Sequence, residues 1–294
     1  MKTIVCVWSA KYHPKYSPEF IGPGLGDLLR GTISLYEYCR KKKYTFYVDI
    51  QLHPLSSLLN VPLSPFSDHV KSHEGQIKFY NNPYDELEKT KEDVILVATN
   101  ISPDEPISDE VREYMKVLLK PQKWVSDLLE SRIRDLGLDT FNIFHMRCGD
   151  NEFFNRQNWW KRFVARQMFI KSFEQSDLLL TDSVKLKQEL RLKYTAKTFT
   201  NTADHIGHAI DTEKLLNTLL EFYAICNAKK IKSYSRYSHT SGFVYFPSII
   251  YDIPMETIVM PRLIRLVDIP YNIFFYYYNI FYKKILKYLS FAKG

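Results

Sequence analysis

The stretch NIFHMRCGDNEFFN (142–155) gathers His145, Arg147, Gly149, Asp150 and Glu152 directly after an apolar, β-type run. A guanidinium such as Arg147 can grip a phosphate through two parallel charge-assisted hydrogen bonds. Gly149 lets the backbone turn or approach a ligand closely. Asp150 is placed to orient Arg147, and Asp150 or Glu152 can serve as a general base. In the plainer reading of the same residues, the charges form a strand-end salt bridge and His145 is a satisfied buried polar group.

Three further clusters lie elsewhere in the chain. GPGLGDLLRG (22–31) joins a predicted strand to a predicted helix, but its glycines fall at 22, 24 and 26. That spacing departs from the dinucleotide fingerprint and excludes ordinary NAD binding. Gly24 and Gly26 still allow a ligand to lie against the backbone at a helix N-terminus, or they simply form a tight turn. SYSRYSHTSGF (233–243) places Ser238, Thr240, Ser241 and Gly242 after a short strand. With a helix starting near 238–240, Ser241 and Gly242 fall in its first turn. The hydroxyls and free backbone N–H groups then make an anion cradle, or only a serine-rich cap. LLTDS (179–183) puts Asp182 and Ser183 at another strand end, where Asp182 contacts a ligand or caps a helix.

These clusters must be held by an alternating framework. Strands are predicted over 3–9, 45–50, 93–100, 140–146, 177–182 and 230–235, and helices over 28–43, 108–119, 121–137, 158–173, 183–194 and 212–229. Segment 60–78, with Pro62, Pro65 and several serines, reads as a loop. Strands alternating with helices imply parallel sheets with crossover helices, and ligands then bind at the carboxyl ends of the strands. The rhythm starts afresh after residue 138. This predicts two doubly wound domains, 1–138 and 139–260, followed by an aromatic-rich helical tail, 261–294.

Bulk properties narrow the function. The chain has 294 residues, 45% of them hydrophobic and 25% charged, which suits a globular protein of about two domains. Its formal charge of +7 favours an anionic partner. The basic residues are spread over several helices and form no aromatic-interleaved stripe, so nucleic acid is not expected. Cys6, Cys39, Cys148 and Cys226 are far apart and form no CxxC pair. They fit neither a zinc site nor a disulfide framework and point to a reducing, cytoplasmic setting. The N-terminus reads as a strand, not a signal peptide, and no run of 18 apolar residues is present. HExxH, GxxxxGK(S/T) and GxSxG are all absent, so no metal site, P-loop or nucleophile elbow is expected.

Taken in order, GxGLGDLLRG, HxRxGD, LLLTDS and SxSxxSHTSGF resemble the fucosyltransferase superfamily, which includes α1,2-, α1,6- and protein O-fucosyltransferases. The resemblance spans most of residues 20–250. It implies a GT-B-like α/β fold: two Rossmann-like, doubly wound domains facing a central cleft, with the donor nucleotide held mainly by the second. It implies an inverting, metal-independent transfer from a nucleotide sugar, GDP-fucose foremost, to a glycan hydroxyl, without a cofactor. On that resemblance Arg147 contacts the donor pyrophosphate with His145 close by. Gly149, Asp182, Ser183, Ser238, Thr240, Ser241 and Gly242 complete the donor site. Gly24, Gly26, Asp27 and Arg30 form the acceptor-side loop.

Two alternatives remain open at this level: the same fold with another donor such as UDP-xylose or another UDP-sugar, or a non-catalytic nucleotide- or glycan-binding module. The tail PYNIFFYYYNIFYKKILKYLSFAKG (270–294) interleaves aromatics with Lys283, Lys284 and Lys287. It suits a peripheral membrane contact or a helix packed back on the domains.

Overall fold

The first strand, β1 (Thr3–Ser9), is an unbroken apolar run, and from Ile4 onward it is buried on both faces. Such runs belong at the centre of parallel sheets. In this computed structural model the described residues are 2–10, 12, 23–104, 106–148, 159–200, 211–235 and 240–258; the side chains of 159–162, 164 and 165 are not among them. Met1–Thr257 form one compact unit. The tail 261–294 lies outside the described residues.

Helix α1 (Leu25–Lys42) follows β1 and ends in Arg40, Lys41 and Lys42, which complement the negative end of the helix dipole. It begins earlier than the predicted 28, inside the glycine-rich run. Then come β2 (Thr45–Leu52), α2 (Ser67–Ser72), β3 (Phe79–Tyr80), α3 (Tyr84–Lys89) and β4 (Val94–Thr99). A short 3₁₀ turn spans Pro54–Ser57. Helix α2 occupies part of the segment read as a loop. Ser67 anchors it to the first sheet by donating to Asp49 Oδ2 at 2.6 Å. Two helices close the half: α4 (Asp109–Leu118), capped by Ser108, and α5 (Lys123–Asp135). Pro121 sits in an isolated bridge with Leu59 and not in the first turn of α5. The first sheet runs β2-β1-β4-β3, with β1 parallel to β2 and β4, and β3 parallel to β4.

The second half repeats the scheme with β5 (Asn142–Arg147), α6 (Trp159–Ser172), β6 (Asp177–Thr181), α7 (Val184–Tyr194), α8 (Thr212–Cys226), β7 (Ile231–Ser235), α9 (Gly242–Ile250) and β8 (Met255–Ile258). Its sheet order is β6-β5-β7-β8, with β5 parallel to both β6 and β7. The fold is therefore α/β with two parallel-stranded sheets, as predicted. Residues 3–9, 140–146 and 177–182 were placed within one or two positions. The strand β8 was not anticipated.

One hydrophobic core runs through both halves, joining Ile4, Leu29 and Val97 to Ile143, Leu180, Leu220 and Val244. Side-chain hydrogen bonds and helix packing tie the halves together. Tyr223 of α8 donates to the Leu119 carbonyl at 2.5 Å, and Arg132 of α5 donates to Asn217 Oδ1 at 2.9 Å. Helix α9 packs against α1. Within α1 itself, Gly31 sits so close to β4 that an added Cβ would lie 1.8 Å from the Thr99 carbonyl oxygen.

Candidate functional site

Alternation along β5 sends Phe144 toward α6, where its ring meets Phe169 at 5.5 Å, and His145 and Arg147 to the opposite face. The ring of His145 lies 6.5 Å from that of Phe243 in the first turn of α9. Arg147 ends the strand at its carboxyl edge, in register with Ser235, the last residue of β7. Parallel packing thus brings the ends of β5, β6 and β7 and the start of α9 together.

The centre of this edge is a clamp. Arg147 Nη1 donates to Asp182 Oδ2 at 2.6 Å, and the Cys148 backbone N–H donates to Asp182 Oδ1 at 2.8 Å. One carboxylate therefore holds both the arginine and the backbone that carries it. The side chains remain 29% and 18% exposed, so the guanidinium is partly open to a ligand. Asp182 is not the cap of α7. That role belongs to Ser183, whose Oγ accepts from the Leu186 N–H, while Thr181 Oγ1 accepts from the Ser183 N–H.

His145 is buried, with Nδ1 3.3 Å from Ser233 Oγ. Burial, with Arg147 as a second cause, pushes its pKa down to about 3. It is a neutral imidazole at physiological pH, suited to fixing Ser233 and the strand end and unable to carry a positive charge to a phosphate.

Helix α9 begins at Gly242, later than the predicted 238–240, so Ser241 is its N-cap and not a first-turn residue; its Oγ accepts from the Phe243 N–H. Thr240 Oγ1 lies 3.5 Å from Thr257 Oγ1. Gly242 opens the helix and touches Gly26 of α1: a Cβ on Gly26 would meet the Gly242 carbonyl carbon at 2.8 Å. The N-termini of α1 and α9 thus meet backbone to backbone. Gly24 caps α1 without a side-chain hydrogen bond, and Asp27 pairs with Arg30 at 2.7 Å on the same turn. Two positive helix ends converge here, an arrangement that favours an anion. The glycines of the predicted acceptor-side loop therefore include one, Gly26, whose local task is to let two helices touch. Gly149, Asp150, Glu152 and Ser238 lie outside the described residues.

Sequence reasoning missed the ion pair beneath this edge. Lys187 Nζ of α7 donates to Glu221 Oε1 of α8 at 2.9 Å, with both side chains 7% exposed. Burial raises the Glu221 pKa, Lys187 opposes that, and the charge of Asp182 adds to the rise. The signal was available: Lys187 falls between Leu186 and Leu190 on the apolar side of its helix, and Glu221 interrupts LLEFYAIC. Among the described residues no group of three or more metal-ligating side chains occurs.

No family model and no curated protein sequence matches this chain. Solved structures do. The fucosyltransferase NodZ from Bradyrhizobium matches with a TM-score of 0.55 and 14% identity, covering 88% of this chain and 95% of NodZ. The NodZ α-1,6-fucosyltransferase co-crystallised with GDP matches at 0.53 and 14%, over 88% and 96%. A mutant of Arabidopsis thaliana FUT1 in complex with GDP matches at 0.52 and 12%, over 88% of this chain and 70% of that one. The chain has the fold of these fucosyltransferases, which is the GT-B-like architecture expected from the sequence.

Proposed function

We propose that this protein is a glycosyltransferase that moves a sugar, fucose foremost, from a nucleotide diphosphate donor to a glycan hydroxyl with inversion and without a metal. The observation that carries the reading is the Asp182 clamp, which holds a partly exposed Arg147 at the carboxyl edge of the second sheet. The shared fold with proteins crystallised with GDP or GDP-fucose supports it.

The chemistry follows from the charges. As the glycosidic bond breaks, negative charge develops on the leaving diphosphate. A preorganised guanidinium and helix N-terminal N–H groups stabilise that charge. On this reading Arg147 meets the diphosphate, and the start of α9 with Thr240, Ser241 and Gly242 supplies neutral donors beside it. Asp150 or Glu152 removes the proton of the acceptor hydroxyl. The division into a first lobe, 1–138, facing the acceptor and a second, 139–260, holding the donor belongs to the same proposal, as does a membrane-proximal setting for the tail.

The test is a thermal-shift screen against GDP, UDP, GDP-fucose and UDP-sugars, followed by transfer assays in EDTA. A ligand at about 100 times its Kd adds about 2.7 kcal/mol of stability. Stabilisation by GDP and GDP-fucose with transfer that survives EDTA is expected. Stabilisation by UDP ligands alone would reassign the donor, and no response to any nucleotide would remove the reading.

A further inference from the structure

The outer surface of α6 and α7 is chemically unlike the rest of the described surface. The two helices are neighbours: Arg166 Nη2 pairs with Glu189 Oε2 at 2.6 Å, and the rings of Phe169 and Tyr194 lie 5.7 Å apart. Among the described residues eight large hydrophobic side chains are exposed, and five of them, Phe163, Ile170, Val184, Leu192 and Tyr194, belong to this helix pair. Leu192 is 83% exposed. A helix that packs only on its own sheet gains nothing from presenting such side chains to water.

Charge is concentrated in the same place. Helices α6 and α7 contain eight lysines and arginines and a single acid, Glu189, a formal charge equal to the +7 of the entire chain. Lys187 points inward to Glu221, whereas Lys171, Lys185, Arg191 and Lys193 are exposed beside the apolar residues. A recess of about 480 Å³ between the C-terminal ends of the two helices is walled by Phe169, Ile170, Phe173 and Tyr194, with Lys197 at its edge.

We infer that the α6–α7 face docks on an anionic phospholipid surface. Lysines and arginines meet the headgroups, while Ile170, Leu192 and Phe163 enter the headgroup–acyl boundary. A polyanion such as nucleic acid would use the cations but leave the exposed aliphatic side chains in water, which favours the bilayer. The inference does not depend on sugar transfer and concerns a surface distinct from the Arg147 edge.

The full-length protein is sedimented with vesicles of phosphatidylcholine alone and of phosphatidylcholine mixed with phosphatidylserine, at low and high salt. Binding to the anionic vesicles only, weakened by salt, is expected. The variants Ile170→Asp with Leu192→Asp, and Lys171→Glu with Arg191→Glu, change exposed residues, and circular dichroism verifies that they fold. Each pair should weaken vesicle binding roughly tenfold or more. The proposal is overturned by equal binding to neutral and anionic vesicles, by no vesicle binding of the wild type, or by unaltered binding of both variants, which would move the contact elsewhere in the chain. Tight binding of an oligonucleotide that is lost in the charge variant and kept in the Ile170 and Leu192 variant would overturn it in favour of nucleic acid.

Discussion

Asp182 Oδ2 accepts from Arg147 Nη1 at 2.6 Å, while its other oxygen accepts from the N–H of Cys148. The aspartate after β6 therefore fixes both the direction of the guanidinium and the path of the chain leaving β5. Removing the arginine should cost one charge-assisted partner of a diphosphate, about 1.5–3 kcal/mol. Arg147→Ala is expected to weaken GDP binding roughly 10- to 100-fold by calorimetry. Asp182→Asn keeps an acceptor for the Cys148 N–H but loses the ion pair, and should bind GDP more weakly than wild type while remaining folded.

On the proposed reading, loss of the proton acceptor separates from loss of the phosphate contacts. Of Asp150→Asn and Glu152→Gln, the variant that removes the base should lower turnover by about 10²–10⁴-fold. The nucleotide Kd should stay within a few-fold of wild type. Full activity in both variants would exclude both carboxylates from the role.

Buried His145 and His53 make stability depend on pH. Burial lowers His145 to about 3 and His53 to about 4, from an ordinary 6.5. Between those values and 6.5 the unfolded chain binds more protons than the folded one. Stability is thus complete above pH 6.5 and falls as pH drops through the window, by up to about 1.4 kcal/mol per pH unit for each histidine. In His145→Asn, which keeps a polar atom facing Ser233, the slope measured by urea unfolding between pH 6.5 and 4 should be shallower.

Two glycines in α1 are set by close backbone approach. Gly31→Ala puts a methyl group into the Thr99 carbonyl and should destabilise by about 3 kcal/mol, the upper end of overpacking costs. Gly26→Ala forces α1 from α9 at Gly242 and should cost about 1–3 kcal/mol. If α9 lines the donor site, as proposed, its effect on GDP binding should exceed that of Gly31→Ala, because Gly242 opens that helix. Thermal unfolding and calorimetry check both.

The Lys187–Glu221 pair lies in the interior, so removing one partner strands a buried charge. Lys187→Met or Glu221→Leu should each destabilise by about 3–5 kcal/mol. The double variant should recover most of the loss, because an apolar pair of similar size needs no compensation. A double-mutant cycle in urea measures the coupling.

Much of this protein can be read from local pattern alone. Apolar runs such as TIVCVWS and DLLLT, which a parallel sheet buries on both faces, identify the strands; Ser108 and the basic turn Arg40–Lys42 mark helix ends. Those signals are short-range, and they suffice to place Arg147 at a strand end. What they do not contain is pairing across distance. Asp182 reads equally as a cap or a ligand contact until β6 lies beside β5; Gly26 reads as a free turn until α9 arrives against it. The ion pair of Lys187 and Glu221, 34 residues apart, exists only because α7 and α8 converge. The segregation of exposed apolar and basic groups onto α6 and α7 is likewise a property of the folded surface: sequence spacing gives each helix its faces, but packing decides which of them meets water.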